Sequence, residues 1–373
     1  MKKKLLAVLL SSTLAASMLA AGAVSASEDS SRVLGNGDLV KLGVEIYDTT
    51  DDQWLAFQAY LDYLADSFDN LEFVYSESLA DADAELSFID SCAAAGCNGI
   101  IGYYNIAEEA AVEECISQGM YYYGTNSIYD AYADNDMYVG TYDFVSDVEG
   151  ANGDYLGGYY MATGLAESGV THPFYCSGGY GMNIPMFVDR YNGFCDGIKA
   201  AQEEGYDITF DPEADIVDGW PDADGFAQNV ANMLATDYDG AACSFNCAAL
   251  FQPIETAGKS DSIKLATIGE VCDTYSFAIA SGEVAVVVYD CEEIVFANAV
   301  IMLTNAIQGN YQGAFKCMTN RWVVEDEETY NAILNFHNEG NFYVTAEDVN
   351  SLVGADNQTV SDFYASLTLD SIK

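Results

Sequence analysis

From residue 39 onward, short apolar runs alternate with amphipathic stretches, the pattern of a parallel sheet covered by helices. Leu39–Tyr47 reads as a first strand, and Trp54, Phe57, Leu61 and Leu64 then recur at helical spacing. Leu71–Tyr75 is a second strand. Asp81 follows as an N-cap for a helix with the inner face Ala82, Leu86, Ile89 and Ala93, ended by Gly96. Strands at Asn98–Tyr104 and Met120–Gly124 flank a helix over Ala107–Gln118, which completes four β/α repeats. The polar, tyrosine-bearing stretch Thr125–Asp136 has no periodicity and reads as the first crossing to another domain, with a further strand at Tyr138–Tyr142.

A second series follows. It contains helices over Ala151–Ser168, Arg190–Ala201, Ala223–Ala235 and Ala248–Ala257. Between them lie strands at Pro173–Cys176, Ile208–Phe210 with an extension at Asp215–Val217, Ala241–Phe245 and Lys264–Ile268. Val284–Tyr289 is a continuous run suited to a strand buried on both faces, and Ile294–Ile307 is a strongly apolar helix. A tail of mixed signals runs to Lys373. The fold class expected is α/β, with two doubly wound parallel-sheet domains.

The start of the chain changes the picture. Lys2–Lys4, an apolar stretch and Val24-Ser25-Ala26 make a secretion signal cleaved after Ala26, and Gly22 stands where a lipidated cysteine would be required. No later apolar run reaches the roughly 20 residues that span a bilayer. The expected product is exported, without a membrane span or lipid anchor. Its roughly 345 remaining residues exceed the usual size of one core, which favours two domains.

Acidic residues number 59 against 12 lysines and arginines, a formal net charge of -47 that becomes -50 without the three lysines of the leader. Self-repulsion of that size disfavours nucleic acid, anionic membranes and phosphorylated solutes as partners. The ten cysteines would lie in a compartment that permits disulfides, yet a chain this large does not need them. Their spacing, with His172 and His337 the only histidines, supplies no zinc-ribbon pattern, so no metal or cofactor is expected. Buried thiols acting as small apolar side chains fit Cys176, Cys243 and Cys291, which fall on expected strands and helix faces.

Arginine is scarce, with only Arg32, Arg190 and Arg321. The pentad Arg190-Tyr191-Asn192-Gly193-Phe194 places one of them behind a glycine-rich strand end at the opening of a helix, where a guanidinium can grip ligand oxygens.

This pentad matches an RxxGF motif. Together with Asn98-Gly99-Ile100-Ile101, Ala241–Asn246 and Gly282–Asp290 in this order, it resembles the type I periplasmic-binding-protein group, closest to ribose and galactose receptors of ABC transporters. The similarity covers roughly Leu39 to Gly313. It implies two lobes joined by a three-crossover hinge that closes on a solute at strand ends. The lobes would be residues 39–143 with 291–318, and 144–290 with the extended tail 319–373, after a signal at 1–26 and a linker at 27–38. Carried over by position, Trp54 and Trp220 would sandwich a sugar ring, Arg190 and Asn246 would bond hydroxyls, and Asn126, Glu270 and Asp290 would supply polar or acidic contacts. Tyr103 takes the place of a polar third-strand contact, with Asp51 and Asp143 matched more loosely. The implied function is a monomeric, extracytoplasmic receptor that delivers a monosaccharide or small sugar to an ABC transporter permease, without catalysis.

Other readings stay open on sequence alone. One is a sensor component docking on a membrane kinase or chemoreceptor. Another is an acidic surface or calcium-binding protein, suggested by Asp48–Asp52, Asp81–Glu85 and Asp218–Asp224, none of which completes an EF-hand. GxSxG, HExxH and P-loop patterns are absent, although carboxylate pairs leave a glycosidase conceivable.

Overall fold

The computed structural model describes residues 32–103, 107–125, 129–146, 148–289 and 291–369. The expected leader, Asn126 and Asp290 lie outside them. The described residues belong to one compact unit, Arg32–Lys373.

Strand–helix alternation builds the first half: β1 (Val40–Val44), α1 (Asp52–Ser67), β2 (Leu71–Tyr75), α2 (Ala82–Ala94), β3 (Gly99–Gly102), α3 (Glu108–Gln118), β4 (Tyr121–Gly124), α4 (Tyr129–Tyr132) and β5 (Tyr138–Phe144). Local chemistry sets these boundaries. Asp51 and Asp81 cap α1 and α2 by accepting main-chain N–H groups, and Gly119 ends α3 in the left-handed conformation.

The second half repeats the scheme with α5 (Gly153–Glu167), β6 (Pro173–Cys176), α6 (Pro185–Glu204), β7 (Ile216–Val217), α7 (Phe226–Leu234), β8 (Gly240–Cys243), α8 (Phe251–Ala257), β9 (Lys264–Gly269), α9 (Asp273–Ala280) and β10 (Val284–Tyr289). The chain closes with α10 (Glu292–Ile307), β11 (Phe315–Thr319), β12 (Trp322–Val324), α11 (Glu327–Asn338), α12 (Ala346–Leu352) and α13 (Asn357–Ser366).

Two six-stranded sheets result, in the orders β11-β5-β4-β3-β1-β2 and β12-β10-β9-β8-β6-β7. Every pairing is parallel except β12 with β10. From strand to strand the described chain makes three crossings between sheets: after β5, after β10 and between β11 and β12. Arg321 links two of them: its guanidinium lies 4.0 Å from the Phe144 ring centroid and donates to the Gly153 carbonyl.

Four expectations need correction. Thr125–Asp136 is not a crossing, because α4 returns the chain to β5 in the same sheet; the crossing follows Phe144. Ile208–Phe210 is not a strand: Ile208 is buried by packing, and of this stretch it is Ile216–Val217 that pairs with β6. Residues 32–38 are no free linker, since Leu34 is buried and exchanges hydrogen bonds with the Asn70 side chain. The tail does not all join the carboxyl lobe. While α11 packs on α9, α12 packs on α1 and α10, and α13 covers β11. Tyr60 fixes that course by donating to the Val344 carbonyl, and Tyr63 accepts from the Ala346 amide.

The thiols of Cys92, Cys97, Cys115, Cys176, Cys243, Cys247 and Cys317 are free and buried, and so serve as core groups. No helix among the described residues is long and apolar enough to cross a membrane.

Candidate functional site

The carboxyl ends of both sheets carry the side chains singled out by sequence, and these fall into two clusters. The first belongs to the second sheet. Arg190 sits in the second turn of α6, where Nε and Nη2 both lie 2.9 Å from Asp154 Oδ1 on α5, while Nη1 donates to the Ser244 carbonyl beyond β8 at 2.7 Å. Its guanidinium carbon is 5.5 Å from the Phe187 ring centroid. Trp220, half-buried beyond β7, meets Phe187 edge-on at 4.9 Å and Phe245 at 5.8 Å. Asn246 spends its carbonyl oxygen on the Ala248 amide, a turn cap that leaves its amide N–H groups as donors.

The placement of Arg190 depends on glycine. Where α5 and α6 cross, a Cβ on Gly193 would stand 1.9 Å from the Tyr155 carbonyl oxygen, and one on Gly158 1.8 Å from that of Arg190. Only hydrogen at these positions lets the two backbones touch. The glycine of the RYNGF pentad is therefore what brings the arginine to Asp154.

The second cluster lies where the lobes meet. Asp51 and Asp52 open α1, and Glu270, Cys272 and Thr274 follow β9. Thr274 donates its hydroxyl to Asp52 Oδ2 at 2.7 Å, tying the amino lobe to the carboxyl lobe. Burial pushes the Glu270 carboxyl up to about 7; its own amide draws it down and nearby Asp51 adds to the rise. Burial, then Glu270, pushes the Cys272 thiol up to about 12. Tyr103 joins this cluster by donating to Gln53 Oε1 at 3.0 Å and stacking obliquely with Tyr47, whose hydroxyl bonds Asp51.

Trp54 does not belong to either cluster as a sugar platform. Only 1 % exposed, it packs edge-on against Tyr75 and beside Tyr103 within the amino-lobe core, because its position on α1 faces the sheet. Asp143 is likewise engaged: it accepts the Phe144 and Gly153 amides at the first crossing. Asp154, Cys272 and Thr274 escaped the sequence reading. Asp154 was one acid among 59, and α9, which follows Cys272, carries no clear periodic signal.

A third group is fully internal to the amino lobe. Glu45, just after β1, is entirely buried with neither carboxylate oxygen hydrogen-bonded. Glu85 of α2 and Glu108 of α3 are its acidic neighbours, and Glu85 accepts the Ala107 amide at 3.2 Å. Burial, then these two acids, holds the Glu45 carboxyl well above the usual range, and burial raises Glu85 to about 7.

Comparison with solved structures yields several receptors of this architecture. A solute-binding protein of an ABC transporter from Actinobacillus succinogenes 130z, with bound D-allose, superposes with a TM-score of 0.61 at 14 % identity, over 78 % of this chain and 99 % of that one. One from Bacillus halodurans C-125, with bound myo-inositol, gives 0.61 at 15 %, over 80 % and 98 %. The transcription regulator CcpA of Lactococcus lactis gives 0.59 at 14 %, over 77 % and 98 %. No family model matches the sequence, and no curated protein matches it. At these identities the likeness establishes the fold, the two-lobed architecture of type I periplasmic binding proteins, which receptors and a gene regulator share.

Proposed function

We propose that the protein is an extracytoplasmic solute receptor, holding a small polar ligand between its lobes for an ABC transporter permease, and that the ligand is a monosaccharide or a comparably sized polyol. The observation that carries this reading is the convergence of Trp220, Phe187, Arg190 and Asn246 at the strand ends of the second sheet. Flat rings suit the apolar face of a sugar, and a guanidinium and an amide supply donors to its hydroxyls. Solved proteins of the same fold carry D-allose and myo-inositol. Arg190, already bonded to Asp154 and Ser244, would act from a fixed position, with Glu270 on the same lobe and Tyr103 facing the ligand from the other one.

The test is a thermal-shift screen against neutral sugars and polyols, followed by calorimetry on each hit. A selective, saturable response to one compound is expected. Trp220→Ala should weaken that binding roughly tenfold to a hundredfold, about 1.4–3 kcal/mol of lost ring contact, with little change in unliganded melting temperature. No response to any sugar or polyol would overturn the proposal. A variant that mainly loses thermal stability would return Trp220 to the core.

A further inference from the structure

Three donors from two distant parts of the chain converge where the lobes meet. Cys272 Sγ lies 3.6 Å from Glu270 Oε1 and 3.9 Å from Asp52 Oδ2, and one ligand atom from each residue falls within 4.8 Å of the others. Zinc bonds of about 2.3 Å to sulfur and 2.0 Å to oxygen, at tetrahedral angles, place the two donors about 3.5 Å apart. The observed separations are close to that edge. Glu270 is 3 % exposed, and among the described residues the Cys272 thiol is the side-chain group that donates to its carboxylate. The ion pairs of the described residues include no basic partner for this trio.

We propose that Asp52, Glu270 and Cys272 bind a thiophilic divalent cation of the zinc class, which bridges the two lobes. A sulfur donor selects zinc-like ions over calcium or magnesium, which take oxygen ligands. On binding, the S–H bond breaks, its proton leaves to solvent, and a metal–sulfur bond forms without any change in oxidation state. Thr274, donating to Oδ2 of Asp52, orients that carboxylate from outside the ligand set. Three protein ligands leave a fourth position for water or for an oxygen of the solute. Because Asp52 is on the amino lobe and the other two are on the carboxyl lobe, the cation favours the closed form; this role rests on the receptor reading.

The probe is cobalt(II) added to chelator-stripped full chain in the presence of a non-thiol reductant. A near-ultraviolet thiolate-to-cobalt band, displaced by equimolar zinc, is expected. Cys272→Ser should abolish the band, and Asp52→Asn should weaken cobalt affinity at least tenfold, with unchanged circular dichroism in both. Absence of the band, or a band that persists undiminished in both variants and so belongs to other thiols, overturns the proposal. Sugar binding by a protein that takes up no cobalt would remove the metal site and leave the receptor reading intact. Cobalt uptake by a protein that binds no sugar or polyol would do the reverse.

Discussion

Alanine at Gly193 is expected to cost about 3 kcal/mol or more of folding stability, enough to lower the melting temperature sharply. The added Cβ would meet a main-chain oxygen, that of Tyr155, at 1.9 Å, so no side-chain rotation can relieve the clash. The reciprocal contact of Gly158 with the Arg190 carbonyl prevents the helices from sliding instead. Separating α5 from α6 would also pull the Arg190 guanidinium from Asp154, so solute binding should fail together with stability. Circular dichroism melts of Gly193→Ala beside Asn192→Ala provide the check. Asn192 is exposed, and its replacement should stay within about 0.5 kcal/mol of the parent. A Gly193→Ala protein that melts like the parent would mean that the helices pack farther apart than described.

Glu45→Gln should act in the opposite direction and stabilise the protein at neutral pH. The folded state holds the Glu45 carboxyl well above its ordinary value of 4.5, whereas the unfolded chain ionises it near that value. Unfolding therefore releases a proton, so stability falls as pH rises from about 4.5 through the folded value and then levels off. A glutamine of the same shape does not ionise and so would recover the stability lost to this linkage. Its amide would also offer donors to Glu85 and Glu108. The groups that bear on Glu45 come from several elements: Glu85 and Cys92 on α2, Glu108 and Cys115 on α3, and Tyr122 on β4.

Melts of the parent and the variant at pH 5, 6 and 7.5 would test this. The two should converge at acid pH, and the variant should melt higher at pH 7.5. The overall acidity of the chain also favours low pH, so the difference between the proteins, not the slope of either one, carries the result. Equal melting temperatures at pH 7.5 would show that the Glu45 carboxyl is not held protonated.

The order of strands and helices was legible because it depends on local alternation. A helix face repeats every three to four residues, and a doubly buried strand such as Val284–Tyr289 announces itself as a continuous apolar run. The caps at Asp51, Asp81 and Gly119 are equally local. Where the local signal is weak the pattern does not reach the structure: α9 carries no clear periodicity, and nothing in the composition of the tail says which neighbour it meets. Arg190 was singled out by rarity and motif, but its bond to Asp154 was not visible across 36 positions among so many acids. Trp54 shows the converse, since a tryptophan near a loop can face either cleft or core.

The sequence by itself determined the alternation of elements, the two-lobed α/β class and the glycine at Gly193, because backbone geometry and the burial of apolar faces act over a few residues. Tertiary structure alone decided which side chains meet. Asp52 and Cys272, 220 positions apart, are brought together only when two sheets are ordered and three crossings set the lobes face to face. The same assembly buries Glu45 without a hydrogen bond to either carboxylate oxygen and turns Trp54 inward, since burial and partnership depend on packing between elements and leave no trace in local spacing.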